Sequence, residues 1–484
     1  MLGIFAVVLC LVLLLTGLMT VRRRERQHAL RTTHAIREAR RKGTDRALLQ
    51  HPFIDRTRCM GCGLCVKACP EEGVLEVVFG QARVVHGARC VGHAMCADVC
   101  PTTAISVALA EIDQRRDIPA IEDDFQVVDT PGLFLAGEVT GMALVRTAVS
   151  QGTAVGREVS RRKQEGELAT GPEGIPDLLV VGAGPAGLAC VLAGVEGGLD
   201  VAWIDQEHQI GGTVAKYPRR KFVMTRPVEF PLDGGLDRAE YTKEELMELW
   251  QSIAERQQLP FQGGTALEGL EAQSDGTFRV LTSRGPMPAR SVCLAMGRRG
   301  TPRRLGVPGE ELTKVVYSLL DAQSYAGRRV LVVGGGDSAV EAALGLSSQP
   351  GTQVTLSYRR PEFFRLKADN ERRLGEAIQE GRLAAWMGTQ ILGVEPERVF
   401  VGTGDGQTYE LPNDDVFVLA GGEPPFPLLE RCGVSFDPAK RAAGKVVAER
   451  GSGLAQALSG ATIATLLILL WAVWYREYYV LSQA

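Results

Sequence analysis

The chain has 484 residues, enough for two to four domains, with 45% hydrophobic side chains and 56 glycines. Many of these glycines sit in loops beside Val-rich runs, which favours α/β nucleotide-binding domains and excludes a disordered chain. A net charge of -3 with sparse aromatics excludes nucleic acid as a partner and leaves room for an oligomer.

Residues 1–21, MLGIFAVVLCLVLLLTGLMTV, carry no charged side chain and match the ~20 apolar residues that cross a bilayer core. The basic run RRRER follows them, which argues for an uncleaved anchor over a signal peptide. The positive-inside rule then places the catalytic body on the cytoplasmic face of the inner membrane. Residues 22–50 are basic and helix-prone, and read as a solvated stalk or a charged linker.

Residues 51–110 hold the chemistry-bearing cysteines. Seven of the chain's eleven fall between residues 59 and 100, a density that reads as metal binding rather than disulfides. The run CMGCGLCVKACP sets Cys59, Cys62, Cys65 and Cys69 in the spacing C-x2-C-x2-C-x3-C-P. Three of these thiolates face one iron–sulfur cube and the fourth serves the other cluster of a pair; zinc favours two separated pairs. The second copy, CVGHAMCADVCP, keeps Cys90, Cys96 and Cys100 but has His93 where the second cysteine belongs. Over about residues 53–108 the chain resembles bacterial two-cluster ferredoxins. The resemblance implies that Cys59, Cys62, Cys65 and Cys100 hold one cluster, and Cys69, Cys90 and Cys96 the other, with His93 at its fourth corner. A neutral imidazole ligand raises a cluster's potential. The alternatives are a three-iron cluster with His93 as bystander, and a lost cluster. The isolated Cys10, Cys190, Cys293 and Cys432 read as buried small hydrophobes.

Residues 111–165 contain VVDTPGLFLAGEVTG (127–141), followed by a helix-forming run. After the linker 161–176, residues 177–300 open on DLLVVGAGPAGLACVLA, a strand, a G-x-G-x-x-G loop and a helix, the dinucleotide fingerprint. Gly182 makes the turn, Gly184 admits the pyrophosphate and Gly187 permits close packing of helix on strand. Pro185 and Ala186 begin the helix. The next strand, DVAWID, ends at Asp205, placed to hold a ribose hydroxyl, with Glu207 as its substitute. Residues 301–425 repeat the pattern in RRVLVVGGGDSAVEAAL, where Gly334, Gly336 and Ala339 take the three positions and Asp337 and Ser338 lie between them. The next strand, QVTLSYRR, ends in Arg359 and Arg360, which suit a 2′-phosphate and so favour NADPH over NADH.

From these loops the chain resembles the two-dinucleotide flavoproteins of the thioredoxin reductase type over about residues 177–435. It is most similar to bacillithiol-disulfide-reductase-like and thioredoxin-reductase-like ferredoxin–NADP reductases. VCLAMGRRG (292–300) and VFVLAGGEPP (416–425) look like the crossover strands, and IGGTVAKYP (210–218), with Gly212, like the loop passing the flavin. Thioredoxin reductases carry C-x-x-C before the second loop. Here VVYSLLDAQSYAGRR contains no cysteine, so thiol–disulfide exchange of that kind is not expected. In that family the chain returns at its end to complete the FAD domain with a Gly–Asp pair and a helix. Residues 118–160 match that missing return, with Gly137-Glu138 for Gly–Asp, which implies a circular permutation.

Residues 426–456 read as a linker, and ALSGATIATLLILLWAVWY (457–475) as a second membrane span with an aromatic belt. The expected fold is therefore α/β: two Rossmann-like domains for FAD and NADPH, a small α+β ferredoxin-like domain, and terminal transmembrane helices. The expected function is a membrane-anchored NAD(P)H:acceptor oxidoreductase. It uses FAD and two iron–sulfur clusters and exchanges electrons with a quinone or a c-type cytochrome. The alternatives are a non-catalytic redox or sensory subunit and a low-molecular-weight disulfide reductase. No acid–base catalytic residue is expected, because the cofactors carry the chemistry.

Overall fold

The computed structural model describes residues 2–46, 50–109, 115–225, 227–298, 300–364, 366–441, 454–476 and 478, without the side chains of 2–12, 14, 224 and 454–460. The chain divides into two compact units, residues 1–110 with 446–484, and residues 111–445.

In the first unit, strand Gln50–Ile54 pairs antiparallel with Ile105–Leu109, Gln50 facing Leu109 and Ile54 facing Ile105. A hairpin joins Leu75–Val78 to Gln81–Val84. The short helices Leu64–Ala68 and Met95–Asp98 each follow one cysteine loop. Val74, Leu75, Ala82, Ile105 and Val107 form the core between them. The N-terminal helix runs unbroken over Leu2–Lys42. Its Ala29, Thr32 and Ala39 are buried, and His28 lies 3.4 Å from Glu76 at the start of the hairpin. The stalk therefore has a packed face.

The membrane expectation is corrected here. Among the described residues, no helix is long and apolar enough to cross a membrane. In the helix Leu2–Lys42 the described side chains begin at Leu13 and turn basic at Arg22; in Leu454–Tyr475 they begin at Ala461. Terminal transmembrane helices leave the fold class, and with them goes the placement at the inner membrane. What stands is a mixed α/β dinucleotide-binding fold with a ferredoxin-like region.

The second unit holds two parallel five-stranded sheets. The first runs in the order Phe261–Gln262, Val201–Ile204, Leu178–Val181, Ser291–Leu294, Leu133–Leu135. Its strands read LLVV, VAWI, SVCL and LFL and are almost wholly buried, as a parallel sheet covered on both faces requires. The second runs Val315–Val316, Asp415–Val418, Arg329–Val333, Gln353–Tyr358, Leu383–Met387. Each domain adds a three-stranded antiparallel sheet, over Leu267–Ala289 and Thr389–Pro412.

The early segment is built into the first sheet. Leu133, Phe134 and Leu135 pair in parallel with Val292, Cys293 and Leu294. Helix Val145–Gln164 then lies along helix Pro185–Glu196. Two glycines one turn apart make this approach possible. A Cβ on Gly152 would stand 2.0 Å from the Ala186 carbonyl oxygen, and one on Gly156 2.6 Å from that of Cys190. Within the expected linker 426–456, helix Phe426–Arg431 and the residues after it bury Leu429, Cys432, Val434 and Phe436 against Val127, Leu133 and Leu179. The amide of Ala120 donates to the Ser435 carbonyl at 2.7 Å, and Lys440 pairs with Asp129 at 2.9 Å.

Candidate cofactor sites

The first glycine loop is closed on itself. Gly182 has φ +115°, and a Cβ there would lie 2.4 Å from the Ala295 carbonyl oxygen. The Trp203 indole donates to the Gly182 carbonyl at 3.0 Å. A Cβ on Gly187 would fall 1.9 Å from that same oxygen, so helix and strand meet at a distance only glycine permits. Gly212 reaches the loop from the following segment, where its Cβ would meet the Gly184 Cα at 2.9 Å. Gly137 arrives from the early segment, where its Cβ would stand 2.9 Å from that of Ala186. Gly184, Gly212 and Gly137 thus come together, with the Ala186 methyl between helix and early segment, at the N-terminus of helix Pro185–Glu196, the arrangement that suits a pyrophosphate. Asp205 accepts from the amides of Ala183 (2.5 Å) and Glu207 (2.8 Å). Burial pushes its carboxyl above the usual range. Glu207 is paired with Lys216 at 2.8 Å.

Sequence reading missed the residues that hold Gly137. Gln151 Oε1 accepts from the Gly137 amide at 2.8 Å, and the Thr140 hydroxyl donates to the Gly137 carbonyl at 2.9 Å. The available signal was Gln151 beside Gly152 and Gly156, on a helix whose buried face is otherwise valine, alanine and Ser160. Arg298 was missed too. It pairs with Asp117 at 2.7 Å and stacks over Phe426 at 5.1 Å, and its Nη1 is buried with no protein partner. An orphaned buried guanidinium nitrogen is a donor that an anionic group can satisfy.

The second loop has different neighbours. Gly334 has φ +150° and approaches Leu419 as Gly182 approaches Ala295, with a hypothetical Cβ 2.4 Å from the carbonyl oxygen. Ala339 keeps its methyl and is buried, and Ser338 is exposed. Gly335 lies under the Tyr358 ring, which a Cβ would meet at 2.1 Å. Asp337 is turned away from the loop, its Oδ1 accepting from the Lys367 amide (3.0 Å) and Asn370 Nδ2 (2.8 Å). Gly336 begins the helix, and Arg359 and Arg360 stand exposed at the strand's end. The Arg360 guanidinium lies 4.3 Å from the Phe364 ring.

In the first unit, burial pushes the Cys65 thiol up to about 11, and Cys62, Cys59 and Cys100 are near enough to add to it. Burial likewise raises Cys96 to about 12, with Cys90, Cys69 and Cys65 near enough to add to it. Cys90 is raised to about 11 by burial, with Cys69 adding. The sulfurs thus fall into two sets, Cys59, Cys62, Cys65 and Cys100 in one and Cys69, Cys90 and Cys96 in the other. His93, 3% exposed, joins the second set, its Nε2 lying 3.9 Å from Cys69 Sγ. Among the described residues no three potential ligands converge on a single metal ion, as a zinc site would need. Thiols this costly to ionise suit a cationic metal core that compensates their charge.

The profile of the pyridine nucleotide-disulphide oxidoreductases matches residues 179–445. The chain belongs to that family. A 4Fe-4S dicluster domain matches residues 52–107 of this oxidoreductase. Its relatives include a ferredoxin–NADP reductase of Thermus thermophilus, 35% identical over 51% of this chain and 72% of the relative. Another, from Ignicoccus hospitalis, is 30% identical over 51% and 78%. A bacillithiol disulfide reductase structure from Bacillus cereus aligns at 22% identity and TM-score 0.48 over 53% of this chain and 81% of that one. The oxidoreductase is thus an iron–sulfur flavoprotein of the ferredoxin–NADP reductase and thioredoxin reductase type, using FAD, NADPH and iron–sulfur clusters.

Proposed function

We propose that this oxidoreductase moves electrons between NADPH and a one-electron carrier outside the chain, with its own ferredoxin unit as the intermediate station. The observation that carries this reading is the presence of two nucleotide loops and two cysteine sets on one polypeptide, with no cysteine in residues 315–329 before the second loop. The relatives are named for ferredoxin and NADP; here a ferredoxin-like unit is covalently attached. Bound FAD supplies the conversion between a hydride and single electrons, which iron–sulfur centres carry.

The chain's residues divide the remaining work. Gly182, Gly184, Gly187 and Gly212 offer backbone to the flavin nucleotide, and Asp205 faces its ribose. Gly137, held by Gln151 and Thr140, and Glu138 beside it complete this site from the early segment. Arg359 and Arg360 receive the 2′-phosphate of NADPH at the second loop. The acceptor is defined by one-electron chemistry and not by a membrane.

Anaerobic stopped-flow mixing with NADPH tests the reading. Flavin absorbance should bleach first and cluster absorbance should follow within the same protein, with no turnover of low-molecular-weight disulfides. Turnover of a disulfide without cluster reduction would instead mark a disulfide reductase.

A further inference from the structure

We infer that His93 is not an iron ligand. It is a hydrogen-bond donor to Cys69, and the second cluster is held by Cys69, Cys90 and Cys96 alone as a three-iron centre. This rests on the cluster reading above.

The two cysteine loops share one backbone. Gly61 and Gly63 have φ of +69° and +74°, and Gly92 and Ala94 have +80° and +61°. Gly63 and Ala94 each cap the short helix that follows, with ψ of 3° and 8°. His93 therefore stands where Cys62 stands in the first loop. The side chains then part. Cys62 is exposed, whereas the His93 ring is folded inward and buried.

The decisive contact is at its other nitrogen. The Met95 amide donates to His93 Nδ1 at 3.1 Å. That amide belongs to the first turn of helix Met95–Asp98 and lacks a partner within the helix. An amide can only donate, so Nδ1 carries the lone pair and the ring's proton resides on Nε2. Nε2 is the atom that faces Cys69. A histidine that ligates metal offers one nitrogen's lone pair and donates from the other, usually to a carbonyl or carboxylate. His93 has the opposite arrangement: the nitrogen facing the cluster sulfur bears hydrogen, and the distant one accepts. As a ligand through Nε2 it would have to surrender its proton and the Met95 hydrogen bond together. Donation to the Cys69 sulfur costs neither, and hydrogen bonds to cluster sulfurs raise the reduction potential.

The test uses the full-length holoprotein, prepared anaerobically. In the oxidised protein we expect about seven irons per chain, from one four-iron and one three-iron cluster, with a three-iron EPR signal near one spin. His93→Ala should keep that signal and lower its midpoint potential. His93→Gln, whose amide accepts and donates at once, should restore part of the shift. His93→Cys should abolish the signal by recruiting a fourth iron. An oxidised wild type that is EPR-silent with about eight irons, and whose reduced second cluster couples to 15N-labelled histidine, would overturn the inference while leaving the proposed function standing. Protein without any iron would overturn both.

Discussion

The two glycine loops follow one template and end differently. Each starts with a glycine at positive φ pressed against a crossover strand, Gly182 against Ala295 and Gly334 against Leu419, with the same 2.4 Å clearance. At the third position they diverge. Gly187 leaves no room for a methyl, because Trp203 holds the Gly182 carbonyl inward. Ala339 carries one and is comfortably buried. The first loop is then closed by Asp205 from its own domain and by Gly137 from the early segment. The second ends in exposed Arg359 and Arg360. The shared fingerprint sets the path of the backbone, and the neighbours decide what closes over it, Asp205 and Gly137 at the first loop and the Tyr358 ring at the second.

The largest break in this comparison should come from the third position. Gly187→Ala puts a methyl into a carbonyl oxygen and should cost at or above the ~1–3 kcal/mol typical of overpacking. The protein should purify with little flavin and unfold at lower denaturant. The converse change, Ala339→Gly, should cost only about 1 kcal/mol of helix propensity and keep NADPH turnover. Next is Gly335→Ala, which meets the Tyr358 ring and should cost about 1–3 kcal/mol. Adding Tyr358→Ala should recover much of the loss in a double-mutant cycle, because the clash is with a side chain.

Arg359→Ala and Arg360→Ala should each weaken NADPH by about 1.5–3 kcal/mol, the range for hydrogen bonds to charged groups, and leave NADH nearly unchanged. Steady-state KM values for the two nucleotides measure the difference directly. The smallest effect belongs to Glu207→Gln. The residue is partly exposed and paired with Lys216, so flavin affinity should change by less than about 1 kcal/mol. A larger loss, read by flavin release on dilution, would move the ribose contact from Asp205 to Glu207.

The cysteine spacing, the two glycine fingerprints and the arginines after the second were legible because each is local: neighbouring residues, read in order, carry the whole signal. The early segment's place in the first sheet was legible only as a displaced match to a returning strand and helix. Its insertion beside Ser291–Leu294 is a long-range pairing, and its docking rests on Gly152 and Gly156, which look ordinary until the second helix is laid against them. Asp337 looked like a loop residue facing a nucleotide, and folding hands it to Lys367 and Asn370, thirty-odd positions later in the chain. The apolar ends match a bilayer's length in the sequence, but among the described residues no helix is long and apolar enough to cross a membrane. The sequence alone thus determined which chemical groups the chain possesses and the turns they must make. Only the tertiary structure decided which groups face each other, because contacts such as Arg298 with Asp117 and His93 with Cys69 join residues far apart in the chain.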